Sequence, residues 1–274
     1  MRDDLTKPQP QPADPVALAR RELQKALPGR FYKDVRAKPL GDGFALALDG
    51  RIAKTPAKHD LVVPTPALAD AIVGEWQAQG EKIDFAAMPL TRLAFTAIDG
   101  IAGKVQAVTE DIVKYSETDL VCYRAAEPTS LVAAQAAAWD PILDFAATQL
   151  DARFVCAEGV MFVSQPEAAR AAIAARVAEI GGGMNAPFAL ASLSTMTVLT
   201  GSILIALALT GGELSLFSAW AAAHVDEDFQ ARQWGQDREA TARRNLRFAD
   251  MAAAEKFWLL LHRPEKRPEE QYNP

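Results

Sequence analysis

The chain has 274 residues, of which 50% are hydrophobic and 23% are charged. This is ordinary globular composition, in a length that fits one large domain or two modest ones. Its net charge of −6 argues against a general affinity for nucleic acid or for anionic membranes. The two cysteines, Cys122 and Cys156, form no CxxC pair and have no flanking histidine. They argue against a zinc site and fit a reducing compartment.

The N-terminal part of the chain changes character near residue 30. Residues 1–13 are polar and proline-rich, which predicts a flexible tail without the apolar core of a signal peptide or the Arg/Ser bias of a transit peptide. Asp14 and Pro15 are typical of a helix start, and this helix is expected to end at Pro28 and Gly29. Residues 31–64 alternate in polarity and contain Gly41-Asp42-Gly43 and Asp49-Gly50, which predicts hairpins and a small antiparallel sheet.

Helical patterns dominate the rest of the chain. Thr65-Pro66 predicts a helix start, and Val105, Val108, Ile112 and Tyr115 form a helical stripe, with Glu110 and Lys114 as an i,i+4 pair. The sequence therefore predicts an α+β fold, in which a small N-terminal domain with an antiparallel sheet and helices (14–100) precedes a larger all-helical domain (101–274). Further helices are predicted at 88–100, 129–150, 166–180, 186–210, 215–233 and 236–261, with a brief strand at 154–159.

The segment from Ile180 to Gly212 contains no charged residue. Its length would allow a membrane span. It also contains several serines and threonines and a central Gly201, and no Lys or Arg cluster flanks it, as an orienting signal would require. We therefore expect a buried pair of helices and no membrane insertion.

The stretch HVDEDF, residues 224–229, gathers one histidine and three acids. Oxygen ligands of this kind bind hard metal ions. On a helix, however, Asp226 and Asp228 would point about 200° apart, which leaves only His224 and Asp228 able to share an ion. A solvated acidic helix face is the preferred interpretation, without a metal site.

The stretch KYSETDLVCYRA, residues 114–125, holds the residue types of an active site. Glu117 and Asp119 share a face only in an extended chain, and then Cys122 lies opposite. Apolar neighbours raise the pKa of a thiol. We expect Glu117, Asp119 and Arg124 to cap helix ends and to pair across a domain junction. A binding surface and an enzyme using Cys122 or the two carboxylates remain as alternatives.

Five stretches together resemble a known family: RFYKDV (30–35), LDGRIAKTPAKHDLVVPT (48–65), MPLTRLAFTAIDG (88–100), YSETDLVCYR (115–124) and QWGQDREA (233–240). They are similar to the F-type ATP synthase assembly chaperones that act on the alpha subunit of the catalytic headpiece. The resemblance implies a non-enzymatic protein that binds the unassembled alpha subunit, prevents its aggregation and releases it during assembly. It implies no cofactor. It also implies a bacterial cytoplasmic setting, or the mitochondrial matrix in eukaryotic relatives.

The resemblance also suggests where the client binds. An acidic residue after a Trp-Gly pair is important in the family, and here that pair is Trp234-Gly235. Glu239 is the first candidate and Asp237 the second, with Trp234 beside them. The residues Glu117, Asp119 and Arg124 belong to a signature stretch to which the resemblance assigns no role.

Overall fold

The computed structural model describes residues 27–159, 161–235 and 237–262. The predicted tail at 1–13 and residues 14–26 of the predicted first helix lie outside the described residues. Within them the fold is α+β, as predicted: an N-terminal antiparallel sheet with helices precedes a mostly helical region.

Strand β2 organises the small sheet. It pairs antiparallel with β1 along one edge and with both β3 and β4 along the other. The β2–β3 turn places Asp49 and Gly50 at φ 47° and 85°, which is the left-handed pair that a tight two-residue hairpin requires. The predicted hairpins are confirmed. The strands are β1 (Val35–Leu40), β2 (Gly43–Leu48), β3 (Arg51–Ile52) and β4 (Val62–Val63).

Two helices cover this part of the chain. Helix α1 (Pro66–Gln77) begins as predicted, because the Thr65 hydroxyl accepts a hydrogen bond from the Leu68 amide at 3.3 Å. Helix α2 (Pro89–Phe95) has no capping side chain of its own. Instead, Glu75 of α1 accepts hydrogen bonds from the first amides of α2 at 2.7 and 2.8 Å. The helix predicted at 88–100 is therefore α-helical only at its start, and it continues as the π-helical segment Thr96–Ile101.

The helical region contains eight further helices among the described residues, and two predicted helices are each divided. Gly201, at φ 68°, separates α6 from α7, and His224 separates α8 from α9. A short parallel pair, β5 and β6, includes the predicted brief strand. The elements are α3 (Val105–Lys114), β5 (Tyr123–Arg124), α4 (Thr129–Gln149), β6 (Ala157–Glu158), α5 (Glu167–Gly182), α6 (Ala186–Thr200), α7 (Ile203–Thr210), α8 (Leu216–Ala223), α9 (Val225–Trp234) and α10 (Arg238–His262).

The predicted pairing of Lys114 with Glu110 on α3 is wrong. Lys114 forms its ion pair with Asp111, one turn away, at 2.7 Å. Glu110 instead accepts a hydrogen bond from Gln106 at 3.0 Å. Both arrangements are exposed, so this difference has little effect on the stability of the helix.

Helices α6 and α7 lie at the centre of the helical region. Every residue from Ser202 to Ala208 is buried, and Leu204 is completely inaccessible. This confirms the buried pair of helices, and no helix in the described ranges is long and apolar enough to cross a membrane. The buried apolar residues form one contiguous cluster from Tyr32 to Leu261. The division into domains at residue 100 stays a prediction, and that position falls within the π-helical segment.

Candidate functional site

Residues 226–235 and 237–250 lie outside the buried core. Among the described residues after Val225 and before Met251, none is buried. Gly235, at φ 88°, ends α9, and Asp237 precedes α10. Helix α9 and the first half of α10 therefore form an exposed helical arm.

The two helices of this arm border an open cleft of about 740 Å³. Helix α9 contributes Glu227, Ala231 and Trp234, whose spacing places them on one face. Helix α10 contributes Arg243 and Arg247, among others. We call this space the α9–α10 cleft, and its wall combines one large aromatic ring with charged groups of both signs.

A bidentate ion pair joins the two helices across the cleft. Both guanidinium nitrogens of Arg244 donate to the two carboxylate oxygens of Asp228, and both side chains are about 30% exposed. The Arg244 hydrogen bonds hold the pKa of Asp228 below its ordinary value. Sequence reasoning missed this pair, because the two residues belong to different helices whose angle no local pattern specifies.

The three client-binding candidates lie together at the end of this arm. Trp234 is 85% exposed and lines the cleft. Asp237 also lines it, but its side chain accepts a hydrogen bond from the Ala240 amide at 2.9 Å and so caps α10. Backbone amides of Ala240 and Glu239 lower the pKa of Asp237. Asp237 therefore lies before the helix and not on one of its faces.

Glu239 points away from the cleft. Its side chain is 82% exposed and pairs with Arg243, one turn later, at 3.0 Å. Arg243 does line the cleft. The acid therefore influences the cleft only through the arginine, while its own carboxylate faces solvent. The structure thus brings Trp234 and Asp237 into one cleft and places Glu239 beside it.

The acidic stretch at 224–229 does not form the solvated face that the sequence predicted. Asp226 accepts a hydrogen bond from Gln135 at 2.7 Å, and Asp228 pairs with Arg244. His224 is buried, with its Nδ1 2.8 Å from the Trp220 carbonyl oxygen. The described residues contain no group of three or more His, Cys, Asp or Glu placed to hold a metal ion. Asp226 and Asp228 instead attach α9 to α4 and α10, whereas Glu227 is exposed and lines the cleft.

Asp119 of the signature stretch is a buried helix cap. Its two carboxylate oxygens accept hydrogen bonds from the amides of Val121 at 3.2 Å and Leu204 at 3.1 Å. Leu204 lies in the first turn of α7, whose own cap is Ser202. Complete burial raises the pKa of Asp119 to about 6, although hydrogen bonds from Ser202, Leu204 and Val121 oppose the shift. The predicted capping role is confirmed for this residue.

Arg124 and Glu117 have different surroundings. Arg124 donates to the Val121 carbonyl and to Asp140, both at 2.8 Å, and its guanidinium lies 5.3 Å from the centre of the Trp139 ring. Glu117 is half exposed and lies 3.7 Å from Arg170. The partners of both residues lie after residue 100. The expectation that they pair across a junction near residue 100 is therefore wrong, because they join segments within the helical region.

Cys122 has the opposite properties to an activated thiol. It is fully buried, and burial raises its pKa well above the ordinary value. Cys156 is exposed, and both thiols are free. A reactive cysteine must be accessible to its substrate and must have a lowered pKa. Cys122 has neither property.

Comparison with known proteins places this fold in a family. A sequence model of the ATP12 chaperone protein matches residues 29–147. The Atu1473 protein of Agrobacterium tumefaciens, described as a candidate chaperone, is 50% identical, with a TM-score of 0.83 over 91% of this chain and 92% of that chain. Atp12 of Paracoccus denitrificans is 41% identical, with a TM-score of 0.78 over 85% of this chain and 98% of that chain.

An aspartate-to-lysine variant of the Paracoccus protein has also been solved, and it matches with a TM-score of 0.79, at 41% identity, over 85% of this chain and 97% of that chain. The motifs, the fold and these matches agree: the chain belongs to the ATP12 chaperone family, the ATP synthase assembly chaperones that its sequence resembles.

Proposed function

We propose that this protein binds the unassembled alpha subunit of F-type ATP synthase, prevents its aggregation and releases it as the headpiece forms. Membership of the ATP12 family supports a role in ATP synthase assembly. The choice of the alpha subunit follows the resemblance of the signature stretches. An unassembled subunit exposes apolar surface that its neighbour normally covers, and such surface aggregates.

The helical arm is the proposed client-binding site, and Trp234 is the observation that carries it. A tryptophan that is 85% exposed is unusual on a soluble surface, whereas buried tryptophans are frequent anchors in protein interfaces. Here the ring lies at the rim of the α9–α10 cleft, between charged groups of both signs. One strong anchor in a mostly polar surface allows binding that can also be reversed.

We also propose that the protein is not an enzyme and needs no cofactor. The groups on which a catalytic alternative would rest do not converge. Cys122 is inaccessible, Asp119 uses both oxygens to cap α7, and Glu117 faces solvent. A nucleophile and its base must lie within hydrogen-bond reach of each other. The bacterial origin of the solved relatives supports a bacterial setting, and cell fractionation would test the proposed cytoplasmic location.

Co-purification tests the proposed partner. A tagged copy of the protein is expected to retain the alpha subunit from cells that lack the beta subunit. It should not retain the beta subunit from cells that lack the alpha subunit. Trp234→Ala should weaken this capture. Leu246→Ala is the matched control, because Leu246 is 70% exposed on the same arm but does not line the cleft. Capture of beta alone, or equal loss in both variants, would contradict the proposal.

A further inference from the structure

Helix α10 borders a second space where the α9–α10 cleft ends. This groove of about 290 Å³ lies between α2 and α6, and Asp250 of α10 forms one side. Its lining is mixed: the apolar residues Leu93 and Leu199 lie beside polar ones such as Ser194. Val198, also in its lining, is 55% exposed. We call it the α2–α6 groove, and it offers an uncovered apolar surface beside the arm.

The cleft and the groove follow one face of α10. Arg243, Arg247 and Asp250 are spaced by four and three residues, so they lie on the same side of the helix. Arg243 and Arg247 line the cleft, and Asp250 lines the groove. Arg247 also donates a hydrogen bond at 2.9 Å to the carbonyl of Leu199, which lines the groove. From Arg243 to Asp250 the helix rises about 10 Å. The two spaces therefore lie one after the other along the same side of α10, and we call them together the trough.

Arg247 is the arginine of this trough that no carboxylate neutralises among the described residues; Glu227, on the α9 wall of the cleft, is an exposed acid that likewise has no ion-pair partner there. Arg243 pairs with Glu239, Arg244 pairs with Asp228, and Arg92 in the groove pairs with Asp250 at 2.6 Å. Across residues 27–159, 161–235 and 237–262, Arg247 has no carboxylate within ion-pair distance, and its guanidinium donates to the backbone carbonyl of Leu199. A charged guanidinium next to an apolar groove fits a ligand that has a carboxylate next to an apolar side chain.

We propose that this trough binds a segment of the client in which an apolar side chain and an acidic side chain lie within about five residues of each other. The apolar side chain fills the α2–α6 groove against Val198, and the carboxylate meets Arg247. An extended segment covers about 3.3 Å per residue, so about three to five residues span the trough. The inference rests on the proposed function, since the client is the alpha subunit.

Dilution of denatured alpha subunit into solutions of the chaperone tests this proposal, with light scattering as the measure of aggregation. Val198→Glu and Arg247→Glu should each raise, by about tenfold, the chaperone concentration that gives half-maximal protection. Arg247→Lys keeps the positive charge and should retain most of the protection of the unchanged protein. The matched controls are Leu246→Glu and Arg232→Glu, at exposed positions that line neither space. Both controls should protect like the unchanged protein, and thermal unfolding of every variant verifies the fold.

Photo-crosslinking identifies the bound segment directly. A benzophenone amino acid at position 198 should capture an alpha-subunit peptide that contains an apolar residue and an Asp or Glu within about five positions. Unchanged protection by folded Val198→Glu and Arg247→Glu would overturn the inference and leave the proposed function intact. A crosslink to a second copy of this chain would overturn it in favour of a dimer interface. Absence of protection by the unchanged protein would instead refute the proposed function.

Discussion

Replacement of Asp119 by alanine should destabilise the protein more than any other single change in the signature stretch. The carboxylate accepts hydrogen bonds from the buried amides of Val121 and Leu204, and alanine would leave both without a partner. Each buried unsatisfied donor costs about 1–3 kcal/mol. We expect the free energy of unfolding to fall by about 3–5 kcal/mol, which is a large part of the roughly 5–15 kcal/mol that a domain possesses.

Two further variants separate the carboxylate from its surroundings. The other cap of α7 is the Ser202 hydroxyl, which accepts a hydrogen bond from the Ile205 amide at 3.0 Å. Ser202→Ala removes it and should lower the free energy of unfolding by about 1 kcal/mol. Asp119→Asn keeps the volume but turns an amide nitrogen towards a backbone donor, so its cost should lie between the two. Urea denaturation followed by circular dichroism measures all three. A cost for Asp119→Ala no greater than that for Ser202→Ala would refute the capping argument.

The pH dependence gives an independent test of the same residue. The pKa of Asp119 is raised from 3.8 to about 6 by burial, so the folded state holds a proton that the unfolded state releases at lower pH. The stability that this carboxyl contributes is therefore fully present below pH 3.8 and is lost as the pH rises through about 6. The difference in stability between the unchanged protein and Asp119→Asn should narrow from pH 5 to pH 7.5. A difference that widens over this range would contradict the assignment.

Three further experiments test other parts of the structure. Leu204→Ala removes a fully buried side chain and should lower the free energy of unfolding by about 2–5 kcal/mol. Leu199→Ala, at a half-buried site, should lower it by less. Equal urea midpoints for the two variants would contradict this order. Alkylation with iodoacetamide at neutral pH should modify Cys156 quickly and Cys122 only on unfolding, so rapid labelling of Cys122 in the folded protein would indicate an accessible thiolate. Glu239→Lys breaks an exposed pair worth about 0.3–0.5 kcal/mol and should leave the thermal midpoint nearly unchanged while weakening protection of the alpha subunit; a large fall in the midpoint would make the residue structural.

Local chemistry made much of the fold predictable. The Asp49-Gly50 turn and the Thr65 cap depend only on residues adjacent in sequence, so their residue types were sufficient. The uncharged run around Gly201 indicated burial because unpaired charges are rarely buried. A pair of helices was expected there, but the range 186–210 was assigned without a break at Gly201, although a glycine within a helical pattern is a recognised sign of a helix end.

Contacts between distant residues were not predictable in the same way. Asp119 caps a helix that begins more than 80 positions later, and nothing in its neighbourhood specifies that partner. The candidate site shows the same limit. Trp234, Asp237 and Glu239 were found by family resemblance, whereas the cleft beside them depends on the angle between α9 and α10. The arginines that line it, Arg243, Arg244 and Arg247, recur at helical spacing, which could have indicated a shared face.

The position of α10 in the chain affects how the protein is made. This helix packs against α1, α2 and α6, and the Thr65 hydroxyl at the start of α1 donates to the Leu260 carbonyl, 195 residues later, at 2.9 Å. At about 5–20 residues per second, a ribosome needs roughly 8–32 seconds to reach the start of α10 at Arg238 after it has completed α1 at Gln77. During that interval the part of α1 that later packs on α10 is uncovered, although β1 and β2 already cover another face of α1. This chaperone is therefore itself exposed to aggregation while it is being synthesised, and a strain that translates it slowly should need more help from general chaperones to produce it in soluble form.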